Sequence, residues 1–157
     1  MVKLTRIDDR LVHGQVAFTW VPALGIDCLI VANDRVAKDE FLKTTFNLAK
    51  PAGIKFFIRT VDDAIALIND PKSQPFKILL IAESVKDAYA LVSGIPEIRS
   101  LNFGGIRSKT GSRLVSKAIA LTEEDITLIR DMLTKGIELE ARQVPTDNRL
   151  AIESLIQ

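Results

Sequence analysis

The sequence predicts a single-domain α/β protein: an open, mostly parallel sheet with helices on both faces and an antiparallel edge strand near the C-terminus. The main evidence for this fold class is a set of three short apolar runs: Cys28–Ala32, Ile54–Ile58 and Ile78–Ala82. These runs are continuous rather than alternating, as in strands that are buried on both faces. Segments with helical periodicity separate these runs, and that alternation is typical of βαβ winding. With 157 residues, 47% of them hydrophobic, the chain suffices for one full core, so we expect one domain over residues 1–157.

The first predicted strand and helix lie on either side of the only histidine, His13. Lys3 to Ile7 predicts the strand, and Gly14 to Leu24 predicts the helix. The apolar residues of that helix have the spacing of one helical face: Val16, Trp20, Val21 and Leu24. Core packing or a partner-facing surface explains Trp20 better than stacking on a substrate does. We therefore expect His13 in the loop that joins this strand to this helix.

Signals for helix ends mark the later helices. Leu42 to Ala49 has the helical period and is followed by Pro51, which cannot continue a helix. Three hydroxyl residues precede helical segments and have an aspartate three positions further on, a variant of the capping box: Thr60, Ser84 and Thr122. Gly136 is the predicted C-cap of the helix that ends near Lys135.

Three further segments predict strands. Leu101 to Phe103 is short and strand-like, Ser112 to Leu121 predicts a strand or a strand pair, and Glu138 to Val144 alternates as a partly exposed edge strand would. Right-handed crossovers bring the carboxyl ends of parallel strands to one edge of a sheet. We therefore expect the His13 loop to meet the residues that follow other strands: Asn33-Asp34, Arg59-Thr60 and Asn102 to Gly105.

The segment from Arg6 to Gln15, RIDDRLVHGQ, is the strongest candidate for a functional site. Ligands of open α/β sheets usually bind at the carboxyl edge, and a helix start offers free N–H groups and a positive dipole end to an anion. A neutral imidazole such as that of His13 acts as a nucleophile or a base, and the guanidinium groups of the nearby Arg6 and Arg10 suit a dianionic phosphoryl group. On spacing alone, however, a single loop histidine is more often a surface or capping residue.

The neighbouring candidates have structural explanations too. Asp8 and Asp9 could form a paired-carboxylate site, but we expect one to restrain Arg10 or the imidazole and the other to face solvent. The Gly104-Gly105 pair could turn backbone N–H groups toward an anion, yet a tight turn explains it better unless the histidine is near. The basic loop Ile106 to Arg113 is expected to be solvated surface, and to help dock an acidic partner if it borders the histidine loop.

Composition argues against several classes of function. The chain has 21 Lys+Arg and 20 Asp+Glu, a formal charge of +1, which disfavours a nucleic-acid surface. One histidine and one cysteine cannot supply the usual zinc ligands, so we assign no metal, and Cys28 is expected to be a buried core residue of a cytosolic protein. Neither a membrane-spanning apolar run nor a signal peptide is expected.

The run from Arg6 to Gln15 closely resembles the active-site segment of the IIB components of the mannose/fructose/sorbose family of the bacterial sugar phosphotransferase system (PTS). The resemblance continues through Asn33-Asp34 and Asn102-Phe103-Gly104-Gly105 and covers essentially the whole chain. It implies that His13 accepts a phosphoryl group from a IIA phosphohistidine on a separate chain. It further implies transfer of that group to a sugar during uptake through the membrane subunits IIC and IID.

The resemblance also implies roles for the other residues of the segment. Arg10 would neutralise the phosphoryl oxygens, Gly14 would let the backbone approach, and Asp8 and Asp9 would support the site. Gly104 and Gly105 are weaker candidates for the same pocket. The family places the phosphoryl group on the Nδ1 nitrogen, needs no cofactor, and works in the cytoplasm at the inner face of the membrane.

Two other functions stay open at this point. A small hydrolase or isomerase could use His13 as a general acid or base on a free metabolite. A non-catalytic regulatory module could bind an anion reversibly at the helix start. Only phosphotransfer predicts a stable covalent phosphoprotein.

Overall fold

The protein is described by a computed structural model of residues 1–157, except for the side chains of residues 15 and 16. The predicted place of Val16 on the apolar face of the first helix lies outside that description. Strands form at the predicted apolar runs and near the C-terminus: β1 (Val2–Ile7), β2 (Cys28–Ala32), β3 (Lys55–Arg59), β4 (Ile78–Ala82), β5 (Ser100–Phe103), β6 (Ser112–Leu114), β7 (Ala120–Thr122), β8 (Glu138–Ala141) and β9 (Leu150–Ala151).

Helices follow most of the strands, as the βαβ pattern predicts. They are α1 (Gly14–Leu24), α2 (Asp34–Ala37), α3 (Glu40–Ala49), α4 (Val61–Asn69), α5 (Val85–Gly94) and α6 (Glu123–Thr134). Two short 3-10 helices span Pro71–Ser73 and Ile152–Ser154. The single turn α2 has no apolar period of its own, and the sequence did not predict it.

A seven-stranded sheet with the order β3-β2-β4-β1-β5-β8-β9 is the centre of the fold. Its strands pair in parallel except for β9, which is antiparallel to β8, while β6 and β7 form a separate antiparallel pair. The predicted fold class is therefore confirmed, including the antiparallel edge strand near the C-terminus. That edge strand is the short β9, however, and the assignment of Glu138–Val144 as the edge was wrong, because β8 pairs on both sides. The alternation there arises because Leu139 is buried while Glu138 is exposed.

Helices cover both faces of the sheet, as expected. Helices α4, α5 and α6 pack their buried residues into one apolar cluster. Helices α1, α2 and α3 pack into the other. The central strand β4 shows why its sequence is continuously apolar: Leu80 faces the first cluster, and its neighbours Leu79 and Ile81 face the second.

The predicted helix caps are present. The hydroxyls of Thr60 and Ser84 accept hydrogen bonds from the backbone N–H groups of the aspartates three positions further on, each at 3.1 Å. Thr122 forms the full reciprocal capping box with Asp125. Gly136 follows α6 with φ +78°, the left-handed conformation that glycine adopts without strain. Among the residues that the structure describes, none of the helices combines the length and apolar character needed to cross a bilayer.

Candidate functional site

The His13 loop lies at the carboxyl edge of the sheet, over its middle. β1 pairs with β4 and β5, so that Ile7 is level with Ala82 and Phe103 at the ends of those strands. The Asp8 N–H donates to the Ala82 carbonyl at 2.8 Å, which continues this pairing into the loop. The predicted meeting of the His13 loop with the segment after β5 is therefore confirmed.

Asp8 is the centre of the site. Its side chain is fully buried, and its Oδ2 atom lies 3.1 Å from His13 Nε2 and 3.3 Å from Arg6 Nη2. Because a carboxylate only accepts hydrogen bonds, we assign the imidazole proton to Nε2 and the lone pair to Nδ1. The His13 side chain is 22% exposed. The Nε2 edge of the ring is thus held against Asp8 inside the protein, while part of the ring is accessible to solvent.

Arg10 lies against the other oxygen of the same carboxylate. Its backbone N–H donates to Asp8 Oδ1 at 3.1 Å, and its Nε lies 3.8 Å from that atom. The Arg10 side chain is 51% exposed. Asp8 thus places a solvent-accessible guanidinium and the His13 imidazole on either side of one buried carboxylate. The prediction was that one aspartate restrains Arg10 or the imidazole, and Asp8 contacts both.

The loop reaches this geometry through an unusual backbone. Leu11 has φ +57° although it is not glycine, and its N–H donates to the Asp8 carbonyl at 2.9 Å. A left-handed leucine costs on the order of 1–2 kcal/mol, which burial of Leu11 and Val12 in the core offsets. The tight turn returns the chain so that His13 becomes the N-cap residue of α1, with extended φ −141° and no side-chain capping bond.

The predicted glycines differ in their surroundings. Gly14, the first residue of α1, has open space where a Cβ would be, which fits close approach of a ligand. At Gly104 a Cβ would lie 2.4 Å from Arg6 Nη2, and the Gly104 N–H already donates to the Ile7 carbonyl at 2.8 Å. Gly104 therefore makes room for Arg6 rather than offering an N–H to an anion. A Cβ on Gly105 would approach Arg10 and Asp8 at 3.8 Å, in ordinary contact.

Arg6 is part of the site as a buried partner of Asp8, and not as the exposed phosphoryl ligand that its place near His13 in the sequence suggests. Its side chain is fully buried, and its Nη1 donates to Asn102 Oδ1 at 2.6 Å and to the Arg142 carbonyl at 3.0 Å. Burial lowers the pKa of Arg6 from its usual value, and the neighbouring Asp8 carboxylate opposes that effect. The place of this cation in β1, directly before the apolar Ile7, was the available sequence signal.

Trp20 and Gln143 join the site from outside the His13 loop. The buried Trp20 indole donates to the Gln143 carbonyl at 3.0 Å, and the Gln143 amide donates to the Gly104 carbonyl at 3.1 Å. The guanidinium groups of Arg6 and Arg142 lie 5.6 Å and 4.8 Å from the Trp20 ring centroid. Of the two explanations weighed for Trp20, core packing is therefore correct.

Asp9 has a different role from Asp8. Its Oδ2 accepts hydrogen bonds from the Arg107 N–H at 2.8 Å and from Arg107 Nε at 3.2 Å. Its own N–H donates to the Gly105 carbonyl at 2.9 Å. The expectation that the second aspartate faces solvent was wrong, because Asp9 ties the basic loop to the His13 loop. The exposed Arg107 of that loop thus borders the site.

The residues after β2 and β3 serve as helix caps. Asn33 Oδ1 accepts from the Val36 N–H at 2.9 Å and starts α2, while Asp34 Oδ1 accepts from the Val61 N–H at 2.9 Å. Thr60 caps α4, and Arg59 donates to the Ile58 carbonyl. These side chains have structural partners of their own, so the candidate site is built from the ends of β1, β5 and β8 instead.

Within the described residues, no group of three or more His, Cys, Asp or Glu side chains could hold a metal ion. Cys28 is buried in β2, as expected, and desolvation raises the pKa of its thiol to about 11. A thiol with that pKa is poorly nucleophilic at neutral pH. Of the side chains of Cys28 and His13, the partly exposed His13 imidazole is the better candidate for a nucleophile.

Comparisons with known proteins agree on one family. The family model of the PTS system sorbose subfamily IIB component matches residues 2–157. The PTS system sorbose-specific EIIB component of Lacticaseibacillus casei is 36% identical over 147 residues, 94% of this chain and 90% of the relative. The PTS system mannose-specific EIIAB component of Escherichia coli (strain K12) is 36% identical over 156 residues, and this chain spans 48% of its length.

Solved structures lead to the same family. The IIBSor domain of the sorbose permease from Klebsiella pneumoniae superposes with a TM-score of 0.94 at 31% identity, over 99% of this chain and 96% of that chain. An N-acetyl-galactosamine IIB component from Streptococcus pyogenes superposes with a TM-score of 0.89 at 27% identity, over 98% and 96% of the two chains. This chain belongs to the sorbose subfamily of PTS IIB components.

Proposed function

We propose that this chain is a phosphocarrier in which His13 accepts a phosphoryl group on Nδ1 and passes it to a sugar. The observation that carries the proposal is the contact of His13 Nε2 with the buried Asp8 carboxylate at 3.1 Å. This contact turns the opposite nitrogen, Nδ1, away from the carboxylate on a ring that is 22% exposed. The activity is that of a protein-Nπ-phosphohistidine–sugar phosphotransferase, Nπ being the same nitrogen as Nδ1.

In the proposed first step, the Nδ1 lone pair attacks the phosphorus of a phosphohistidine on the donor protein. The bond from phosphorus to the donor imidazole breaks as the bond to Nδ1 forms, so the electron pair returns to the donor ring. His13 keeps its proton on Nε2, and the positive charge that develops on its ring faces the Asp8 carboxylate. In the second step a sugar hydroxyl oxygen attacks the same phosphorus, the P–Nδ1 bond breaks with its electron pair returning to the His13 ring, and the hydroxyl proton is released to water.

Arg10 would stabilise the transferring group. Phosphoryl transfer depends on positioning and on neutralising the charge of the equatorial oxygens. A half-exposed guanidinium that contacts the same carboxylate as the imidazole suits that need. The start of α1 at Gly14 adds a positive dipole end with open space before it. Asp9 and Gly105 would support the site indirectly, through the basic loop and through the space beside Arg10.

The partners would be a IIA protein as donor and the membrane subunits IIC and IID, which hold the sugar. We propose one IIB domain over residues 1–157 that works in the cytoplasm at the inner face of the membrane. Arg107, which is tied to Asp9 and 74% exposed, borders the His13 loop, and Arg10 within that loop is half-exposed. These cations favour an acidic donor surface, so added salt should slow transfer when the donor is dilute.

The proposal is tested by intact-mass measurement after incubation with phosphoenolpyruvate, the general PTS phosphotransfer proteins and a cognate IIA. We expect one phosphoryl group per chain, lost in acid and retained in alkali, because protonation of the imidazole makes the P–N bond labile. A label lost in alkali and retained in acid would instead indicate an acyl phosphate on Asp8 or Asp9. The two other functions also separate here, since reversible anion binding leaves no covalent mass and a hydrolase or isomerase needs no donor protein.

The conservative substitution Arg10→Lys should slow phosphoryl transfer roughly tenfold or more while leaving the fold intact. A lysine supplies a point charge and cannot offer the forked donors that a guanidinium presents to phosphate. Arg35→Lys is a matched control, because Arg35 is exposed and pairs with Glu83 through the same type of contact. Quenched time-course assays of both variants measure the rate of phosphoryl transfer, and thermal melts measure their stability. An unchanged rate with a lowered Tm would show Arg10 to be structural.

A further inference from the structure

We propose that Arg6 is a positioning residue for His13, and that Asn102 and the Arg142-Gln143 segment after β8 hold Arg6 in that role. The proposal rests on the proposed function of His13 as phosphoryl acceptor. Arg6 and His13 contact the same oxygen, Asp8 Oδ2, at 3.3 Å and 3.1 Å. The position of the Arg6 guanidinium therefore fixes the carboxylate on which the imidazole rests.

The guanidinium of Arg6 is fully buried and bonded on two sides. While Nη2 faces Asp8, Nη1 donates to Asn102 Oδ1 at 2.6 Å and to the Arg142 carbonyl at 3.0 Å. Asn102 Nδ2 donates to the same carbonyl at 3.2 Å, which closes a triangle between β1, β5 and the end of β8. This bonding pattern uses the planar fork of arginine, and a lysine could not reproduce it.

The Arg142-Gln143 segment connects both ends of the His13 loop. On the strand side, Arg6 of β1 donates to the Arg142 carbonyl. On the helix side, Trp20 of α1 donates to the Gln143 carbonyl at 3.0 Å, and His13 is the N-cap residue of that same helix. The Gln143 amide then donates to the Gly104 carbonyl, directly beside the Arg6 guanidinium. One two-residue segment thus sets the spacing between the strand that carries Arg6 and the helix that His13 precedes.

The side chains of Arg6, Asn102 and Trp20 are buried, so a docked donor protein does not touch them. Loosening the network should therefore lower the maximal rate of phosphoryl acceptance without changing the KM for the donor. It should also free the imidazole from its single orientation, so that protons populate Nδ1 as well as Nε2. A merely structural role predicts neither the change of tautomer nor the selective loss of kcat.

The test uses Asn102→Ala and Gln143→Ala in the full chain, with Asn69→Ala as matched control. Asn69 is exposed and donates through its amide to the Gly94 carbonyl at 2.8 Å, far along the chain from the site. Because His13 is the only histidine, long-range proton–nitrogen NMR reports its tautomer without assignment. We expect the Nε2-protonated form in the unchanged chain and the control, and a mixture in the two network variants.

In parallel transfer assays, kcat should fall roughly ten- to a hundredfold in the network variants, with an unchanged KM for IIA. A single tautomer and an unchanged kcat in the folded variants would overturn the proposal, and so would a change confined to KM. Gln143 is only half-buried, so Gln143→Ala decides the matter if Asn102→Ala does not fold. The NMR measurement needs no donor, so its outcome stands apart from the success or failure of the proposed phosphotransfer.

Discussion

His13→Gln should abolish phosphoryl acceptance completely while the protein keeps its fold. Glutamine has no nucleophilic nitrogen, because its amide lone pair is delocalised into the carbonyl group. Its side-chain N–H can still donate to Asp8 Oδ2, where His13 Nε2 now lies at 3.1 Å. Since that hydrogen bond can be kept, we expect the free energy of unfolding to change by about 1 kcal/mol or less.

His13→Leu provides the comparison for stability. Leucine cannot donate to Asp8, so it removes one of the donors around a buried carboxylate, and we expect it to be more destabilising than glutamine. Denaturant unfolding measures this order, and the intact-mass assay measures acceptance. If the glutamine variant were still phosphorylated at the normal rate, another residue would have to carry the phosphoryl group.

The fold was predictable because its strands carry a local signal. β2 and β4 are buried on both faces, which forces continuous apolar runs, and Thr60, Ser84 and Thr122 cap helices with side chains that act only three residues away. The partner of β8 carries no such local signal. The alternation in β8 indicates that one face of the strand is exposed, and it does not indicate whether a further strand pairs beside it. The two-residue β9 is therefore not predicted by the sequence.

The candidate site, too, was predictable from the sequence only in part. The segment Arg6 to Gln15 concentrates the titratable groups, so His13, Arg10 and a restraining aspartate could be predicted. The left-handed backbone of Leu11 could not, because leucine gives no signal for positive φ. Nor could the bond from Trp20 to Gln143, which joins residues 123 positions apart. Interactions of that separation depend on the finished topology, in which β1, β5 and β8 end side by side.

Asp8→Asn should both slow phosphoryl transfer and destabilise the fold. Asp8 faces donors on both oxygens, Arg6 and His13 at Oδ2 and the Arg10 backbone at Oδ1. In either orientation of its amide, an asparagine at this position turns its NH2 group toward hydrogen-bond donors instead of an acceptor. It also leaves the buried Arg6 cation without a counter-charge. Loss of one partner of a buried ion pair costs about 3–5 kcal/mol, and we expect an effect of that size in denaturant unfolding.

A second substitution separates the two effects of Asp8→Asn. Adding Arg6→Met removes the uncompensated cation and fills its space with an apolar chain, so the double variant should be more stable than Asp8→Asn alone. Its transfer rate should stay low, because no carboxylate remains to hold His13 Nε2 or to face the charge that develops on the ring. Asp131→Asn is the matched control, since Asp131 pairs with Lys135 at 2.8 Å on the surface and should affect neither property appreciably. Recovery of transfer together with stability in the double variant would contradict the role assigned to Asp8, because stability alone would then account for the loss.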